Sequence, residues 1–284
     1  MTVAVGTRVG AVMGRLRRNR LSFLGVLIVM VLLAVVAFGP LVWRLDPIQT
    51  DLADRLAGPS LAHPLGTDVQ GRDLLARVLH GGRVTILIAL ASVVVALVFG
   101  SGLGLVSGFV RGWFDTLVMR VVDVLLAFPP LLLALVIAAA RGPGIFNTVL
   151  AVSIPAVPRF ARLMRSQSIA IREREYVLAA RAVGLHPARI LFRHVLPNGI
   201  GPVTVQASIA AGIAILEVAG LGFLGLGVQP PAPELGSILV DSRTYLLQQP
   251  VAVLLPGVVI SLSILGFNLL GDAFGDVFDV GSGS

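Results

Sequence analysis

Two amino acids are absent from the 284-residue sequence, lysine and cysteine. Without lysine a G-x-x-x-x-G-K-[ST] phosphate loop cannot be assembled, so the chain cannot hydrolyse ATP by that route. Schiff-base chemistry through a lysine amine is excluded as well. Without cysteine there is no disulfide framework, no thiol nucleophile and no thiolate metal site. The four histidines, His63, His80, His186 and His194, show no close ligand spacing. Charge is scarce too: 13% of residues are charged, where soluble domains carry about a quarter. With 56% hydrophobic residues and a mean hydropathy of +0.93, the chain reads as an integral membrane protein. All 22 basic residues are arginine and the net charge is +7; a GC-rich genome would also favour that usage. No H-E-x-x-H, no G-x-S-x-G and no acid pair at catalytic spacing lies in the apolar runs, which argues against a membrane-embedded enzyme.

A bilayer core about 30 Å thick takes roughly 20 apolar helical residues, and six runs qualify: 21–42, 84–110, 117–140, 145–164, 203–227 and 251–271. The fold class expected is therefore all-α, a polytopic membrane protein with six transmembrane helices. The first run follows Arg15, Arg17, Arg18 and Arg20 as a signal peptide would, but it is too long for an h-region and lacks a clear cleavage site, so a retained helix is expected. Arginine counts near the helix ends orient the chain. Residues 1–20 hold five arginines and no acid, and the stretch from Arg159 to Asn198 holds eight against Glu173 and Glu175. The loop 43–83 instead balances five arginines with five aspartates. Both termini and a loop at 165–200 are accordingly expected on the cytoplasmic side, with 43–83 and 228–250 outside, and a five-helix core over 84–280. The terminal Gly-Ser-Gly-Ser, 281–284, reads as a linker.

Several positions carry both a structural and a functional reading. Gly100, Gly104 and Gly108 repeat at the small-xxx-small spacing that lets helices approach closely. Pro129-Pro130 is expected to kink the third span. Arg120 and Asp123, three apart on one helical face, can neutralise each other or serve a proton relay. Glu217 in the fifth span is costly unless it faces a cavity or partner; it either lines a translocation path, with Gln206, or serves as a structural hydrogen-bonding group. His63, Asp68, Arg72 and Asp73 lie in the Pro- and Gly-rich outer loop, where they either pair with one another, contact an external partner, or form a metal or catalytic cluster.

The stretch "EYVLAARAVGLHPARILFRHVLPN", 175–198, is helix-forming and polar in the middle of an apolar chain. A helix over 168–183 is expected, ended by Gly184 in the left-handed conformation. Pro187 can then open a second short helix that Pro197 stops. Ala179, Ala180 and Ala182 at the apex would let a partner surface approach the backbone. An amphipathic loop lying on anionic lipid would explain the arginines, but not the spacing of Ala-Ala, Gly and Leu-Pro.

That spacing, Ala179-Ala180, Gly184 and Leu196-Pro197, resembles the EAA loop of ABC-importer permeases, with Leu178 in place of the Glu and His194 in place of an Ile. Four further stretches resemble the C-type subunits of the peptide and nickel branch: "HPLGTDVQGRDLLARVLHGGRVTI" (63–86), "MRVVDVLLAFPPLLLAL" (119–135), "FLGLGVQPPAPELGSIL" (223–239) and "NLLGDAFGDVFD" (268–279). Gly222, Leu235 and Gly275 depart from that pattern, which has Ser, Trp and Arg there. The resemblance implies the type I permease fold in a bacterial cytoplasmic membrane and a non-catalytic subunit that binds no cofactor or metal itself. ATP and Mg would be held by one or two partner ATPase subunits. It further implies a B-type permease partner, an extracytoplasmic solute-binding protein, contact with membrane lipid and no nucleic acid. The solute would be dipeptides or oligopeptides, or alternatively nickel or another small solute. Glu175, Ala179, Ala180, Arg181, Gly184, Leu196 and Pro197 would dock on the ATPase. A stand-alone secondary transporter is the rival reading; it would favour internal repeats and intramembrane ion pairs, which the sequence does not display.

Overall fold

The computed structural model describes residues 20–278. The basic segment before Arg20 and the terminal 281–284 lie outside the described residues. Among the described residues the regular structure is helical, and the helices are joined by turns and irregular loops, the longest over 43–73, which holds an isolated bridge between Thr67 and Asp73. In chain order the helices are α1 (Arg20–Val42), α2 (Leu74–Val110), α3 (Gly112–Leu126), α4 (Pro130–Arg141), α5 (Ile145–Arg172), α6 (Glu175–Ala182), α7 (Pro187–Phe223), α8 (Leu235–Ser242) and α9 (Val251–Phe278).

Four of these, α1, α2, α7 and most of α9, are long and apolar enough to cross a membrane, and α3 with α4 makes a fifth if the bent pair is one span. Three sequence expectations change here. Residues 117–140 are not a kinked helix but two helices meeting at 90°, because Pro129 and Pro130 withhold two consecutive backbone donors just after Leu126. The 145–164 run does form a helix, but Pro155, Pro158, Arg159, Arg162 and Arg165 keep it out of that apolar set. The loop after α1 is shorter than 43–83, since α2 already starts at Leu74, capped by Asp73.

Packing follows helical periodicity. In α9 Ala252, Pro256, Ile260, Ser263, Phe267 and Gly271 are buried inside the protein at every third or fourth position along one stripe, with Gly266 and Ala273 buried beside it. In α1, Ser22, Gly25, Val29 and Val36 face inward while Leu27, Met30, Leu33 and Phe38 are exposed, a surface for lipid rather than water. Gly25 lies against Leu269, and Ser22 Oγ donates to Asp276 at 3.0 Å, so α1 leans on α9. The most extensive contact joins α2 to α5. A Cβ on Gly100, Gly104 or Gly108 would fall within 3.0 Å of the carbonyl oxygen of Val157, Ala161 or Arg165, respectively. The four-residue glycine repeat of one helix therefore faces a four-residue run of bare backbone on the other.

Candidate coupling segment and translocation cavity

The polar stretch begins where α5 stops. Glu173 and Arg174 break the expected 168–183 helix: Arg174 is extended, with ψ 144°, and the chain restarts as α6. α6 ends in a Schellman arrangement, Leu185 N–H donating to Ala180 O and Gly184 N–H to Arg181 O. Gly184 takes φ +76°, and nothing lies within 4 Å of the Cβ it lacks, so its backbone is both left-handed and open to a visitor. His186 then caps α7 by accepting from Ala188 N–H at 3.3 Å, and Pro187 occupies the first turn.

The second helix does not stop at Pro197. Leu191–Val195 forms a π turn, in which Leu196 N–H reaches back to Leu191 O, and the helix continues to Phe223. The wider turn absorbs the donor that Pro197 lacks, and Asn198 Nδ2 donates to the His194 carbonyl at 2.6 Å. The expected 165–200 loop is thus a small helix, α6, slung between the ends of two long ones. Of the residues expected to dock a partner, Glu175, Ala179, Arg181, Gly184 and Pro197 are exposed and Leu196 is half-buried. Ala180 is not at a free apex: it is 7% exposed and packs with Val177, Ile190 and Leu191 into the core. Its small size serves the seat of α6 on the bundle.

Within the bundle, Glu217 and Gln206 line one cavity between α2, α4, α5 and α7, with Ser92, Pro130, Pro155 and Arg159. Its volume is about 20 Å³, room for a single water. Among the described residues, neither Glu217 nor Arg159 has a hydrogen bond or an ion pair, although this acid and this base share one wall. Sequence reasoning placed Arg159 in the basic cytoplasmic stretch; the structure puts it fourteen residues into α5, on the inside. Asp123 likewise pairs not with Arg120 but with Arg162 across to α5, at 2.6 Å, while Arg165 and Asp115 form a two-pronged bond, both arms at 2.6 Å. Those partners are distant in sequence, and no spacing signalled them.

The 43–73 loop joins its four singled-out residues in two hydrogen-bonded pairs, His63 with Asp73 and Asp68 with Arg72. Asp73 caps α2 through Ala76 N–H and accepts from Trp43 Nε1 at 2.9 Å, with His63 Nδ1 2.9 Å from its other oxygen. Asp68, 2% exposed, accepts from Arg72 Nε at 2.7 Å and lies 3.4 Å from Arg77 Nε. Both arginines also approach Asp241, which sequence reasoning did not single out. Thr67 Oγ1 donates to Asp54 O, and Gln249 Nε2 donates to Ala57 O at 2.6 Å, stitching the loop to the segment before α9. A second missed group is Glu234, fully buried in the segment between α7 and α9. Its carboxylate accepts from Gly236 N–H, Ser237 N–H and Thr85 Oγ1, the last at 2.8 Å. Burial pushes its pKa above the ordinary carboxylate range, against the pull of those three donors. Gly222 leaves the space the carboxylate fills: a Cβ there would collide with Oε2.

A bundle of long apolar helices with a short exposed helix slung between two of them defines a class, the multi-span membrane proteins. The family model of the binding-protein-dependent transport system inner membrane component matches residues 100–281, and that of the N-terminal TM domain of oligopeptide transport permease C matches residues 9–59. The dipeptide transport system permease protein DppC of Alkalihalophilus pseudofirmus is 43% identical over 93% of this chain and 87% of its own length. The glutathione transport system permease protein GsiD of Pectobacterium atrosepticum is 39% identical over 93% and 88%, and the probable D,D-dipeptide transport system permease protein DdpC of Escherichia coli 40% over 94% and 90%. The chain belongs to the inner-membrane permeases of ABC transporters, as an oligopeptide- and dipeptide-permease-C-like member. It is a multi-pass, non-catalytic subunit of a binding-protein-dependent system, whose ATPase, partner permease and binding protein are separate components.

Proposed function

We propose that this chain is the C-type half of the translocation path of an ATP-driven importer for short peptides, paired with a non-identical B-type permease. Two ATPase subunits on the cytoplasmic side close on ATP, and α6 with the flanking residues 175–198 carries that motion into α5 and α7, the two long helices it joins. A permease responds to ATP only through contacts that differ between the two ATPase states. An exposed segment joined directly to two of the four helices that wall the inner cavity is suited to that task. The observation that carries the peptide reading is the similarity, along more than nine-tenths of the chain, to relatives named for dipeptide and glutathione transport.

Six crossings follow if α5 spans as well and α3–α4 is one broken span; the arginine-bearing side of α5 then faces the bundle and the partner permease instead of lipid. Both termini and the 175–198 segment are cytoplasmic in this arrangement, and the outer loop with His63, Asp68, Arg72 and Asp73 faces the binding protein. Glu217 and Gln206 line the path.

Uptake by proteoliposomes holding the four membrane components, fed with binding protein and ATP, tests the reading. Labelled dipeptide should accumulate only with ATP inside. Glu217→Ala should lower uptake severalfold with unchanged assembly, because no hydrogen bond or ion pair is lost with the side chain. Nickel accumulation without peptide uptake, or transport by this chain alone down an ion gradient, would contradict the proposal.

A further inference from the structure

Behind α6 lies a second cavity, of about 380 Å³, lined by Phe109, Arg172, Arg181, Leu185, Pro187 and Ile190. It sits where the end of α2, the end of α5 and the start of α7 converge, and it belongs to neither the inner cavity nor the exposed face of α6. Two guanidinium groups point into it from different helices. Arg172 donates Nη1–H to the Phe109 carbonyl at 2.7 Å, closing one of the orphan carbonyls in the last turn of α2. Its Nε is buried and has no hydrogen-bond partner. Arg181 folds back from α6 over the Phe109 ring, with Cζ 5.3 Å from the ring centroid, so its charge is turned toward the body of the permease. Among the described residues neither guanidinium is paired with a carboxylate; the neighbouring Glu173 is taken by Arg111 at 3.8 Å.

Two like charges converging on one half-enclosed space, one with a donor already stripped of water, are unfavourable without a counter-ion. A phosphate-centred anion has the charge and the acceptor oxygens to meet both, and arginine forks suit it geometrically. The remaining wall, Leu185, Pro187 and Ile190, is apolar. Phe109 sits in the last turn of α2, where its chain neighbours Val106 and Val110, and Trp113 at the start of α3, are exposed. A double-arginine socket with an apolar wall, next to a helix end that exposes apolar side chains, fits a ligand with a phosphate head and a hydrocarbon tail. We propose that this cavity is a binding site for the phosphate of an anionic phospholipid headgroup, held between Arg172 and Arg181. A lipid seated there would brace α6 against α2 and link membrane composition to the segment that faces the ATPase.

The test is native mass spectrometry of the assembled transporter titrated with phosphatidylglycerol or phosphatidylcholine. Wild type should retain phosphatidylglycerol preferentially. Arg181→Gln and Arg172→Gln should each weaken that retention roughly fivefold. Arg172→Lys should keep most of it, and Arg189→Gln, outside the cavity, should leave it unchanged. Arg181 is exposed, so its variant keeps the test sound if Arg172→Gln does not fold. Equal retention in wild type and both glutamine variants would overturn the proposal. So would displacement by inorganic phosphate with no lipid preference, or a loss of ATPase-subunit binding in the variants while lipid retention stays put, which would give the socket to a partner carboxylate.

Discussion

Glu234 does at one position what usually takes several. It caps α8 through Gly236 and Ser237, ties that helix to Thr85 of α2, and fills the space over Gly222. Glu234→Ala would leave three buried donors without acceptors and is expected to cost about 1–2 kcal/mol, at the upper end for a lost cap, seen as a lower unfolding temperature in detergent. The pH dependence has a definite sign. Because the folded protein holds this carboxyl above the ordinary 4.5, it keeps a proton that the unfolded chain has already released. Its contribution to stability is therefore full below about 4.5 and falls as pH rises from there. Glu234→Gln, which cannot ionise, should remove that part of the slope. A slope identical in wild type and Gln variant would show that the carboxyl ionises alike in both states.

Among the elements, the α2–α5 contact was legible in the sequence and the α5–α6–α7 connection only partly so. Gly100, Gly104 and Gly108 announce a close approach by spacing alone, and the structure supplies the partner, the carbonyls of Val157, Ala161 and Arg165. Gly104→Leu should force the two helices apart and destabilise by about 1–3 kcal/mol, read from thermal unfolding. Gly102→Leu, where no atom lies within 4 Å, should have little effect, and equal shifts in the two would contradict the packing account. Gly184 and Pro187 were equally readable, because a left-handed stop and a first-turn proline are local matters of backbone geometry. Pro197 misled for the converse reason: a proline ends a helix in isolation, but packing on both sides kept this one going through a π turn. The burial of Ala180 and the switch of Asp123 to Arg162 depend on where α5 lies, which no local pattern states.

For the molecule as a whole, composition alone fixed the membrane class, and the absent lysine excluded a phosphate-binding loop in this chain. The number of crossings was less legible, since α5 spends apolar character on arginines that serve other helices: Arg165 holds Asp115, Arg162 holds Asp123, and Arg159 lines the inner cavity. A hydropathy window sees only charge there, not its partners. The central claim is that residues 175–198 transmit the state of the ATPase to this bundle. It is tested most directly by the ATPase rate of the complete transporter in nanodiscs, with and without binding protein and dipeptide, for wild type and Gly184→Pro. Proline cannot take the φ of +76° found at that position, so the variant should assemble in the membrane, keep a basal rate and lose stimulation. Full stimulation and normal uptake with Gly184→Pro would contradict the coupling role.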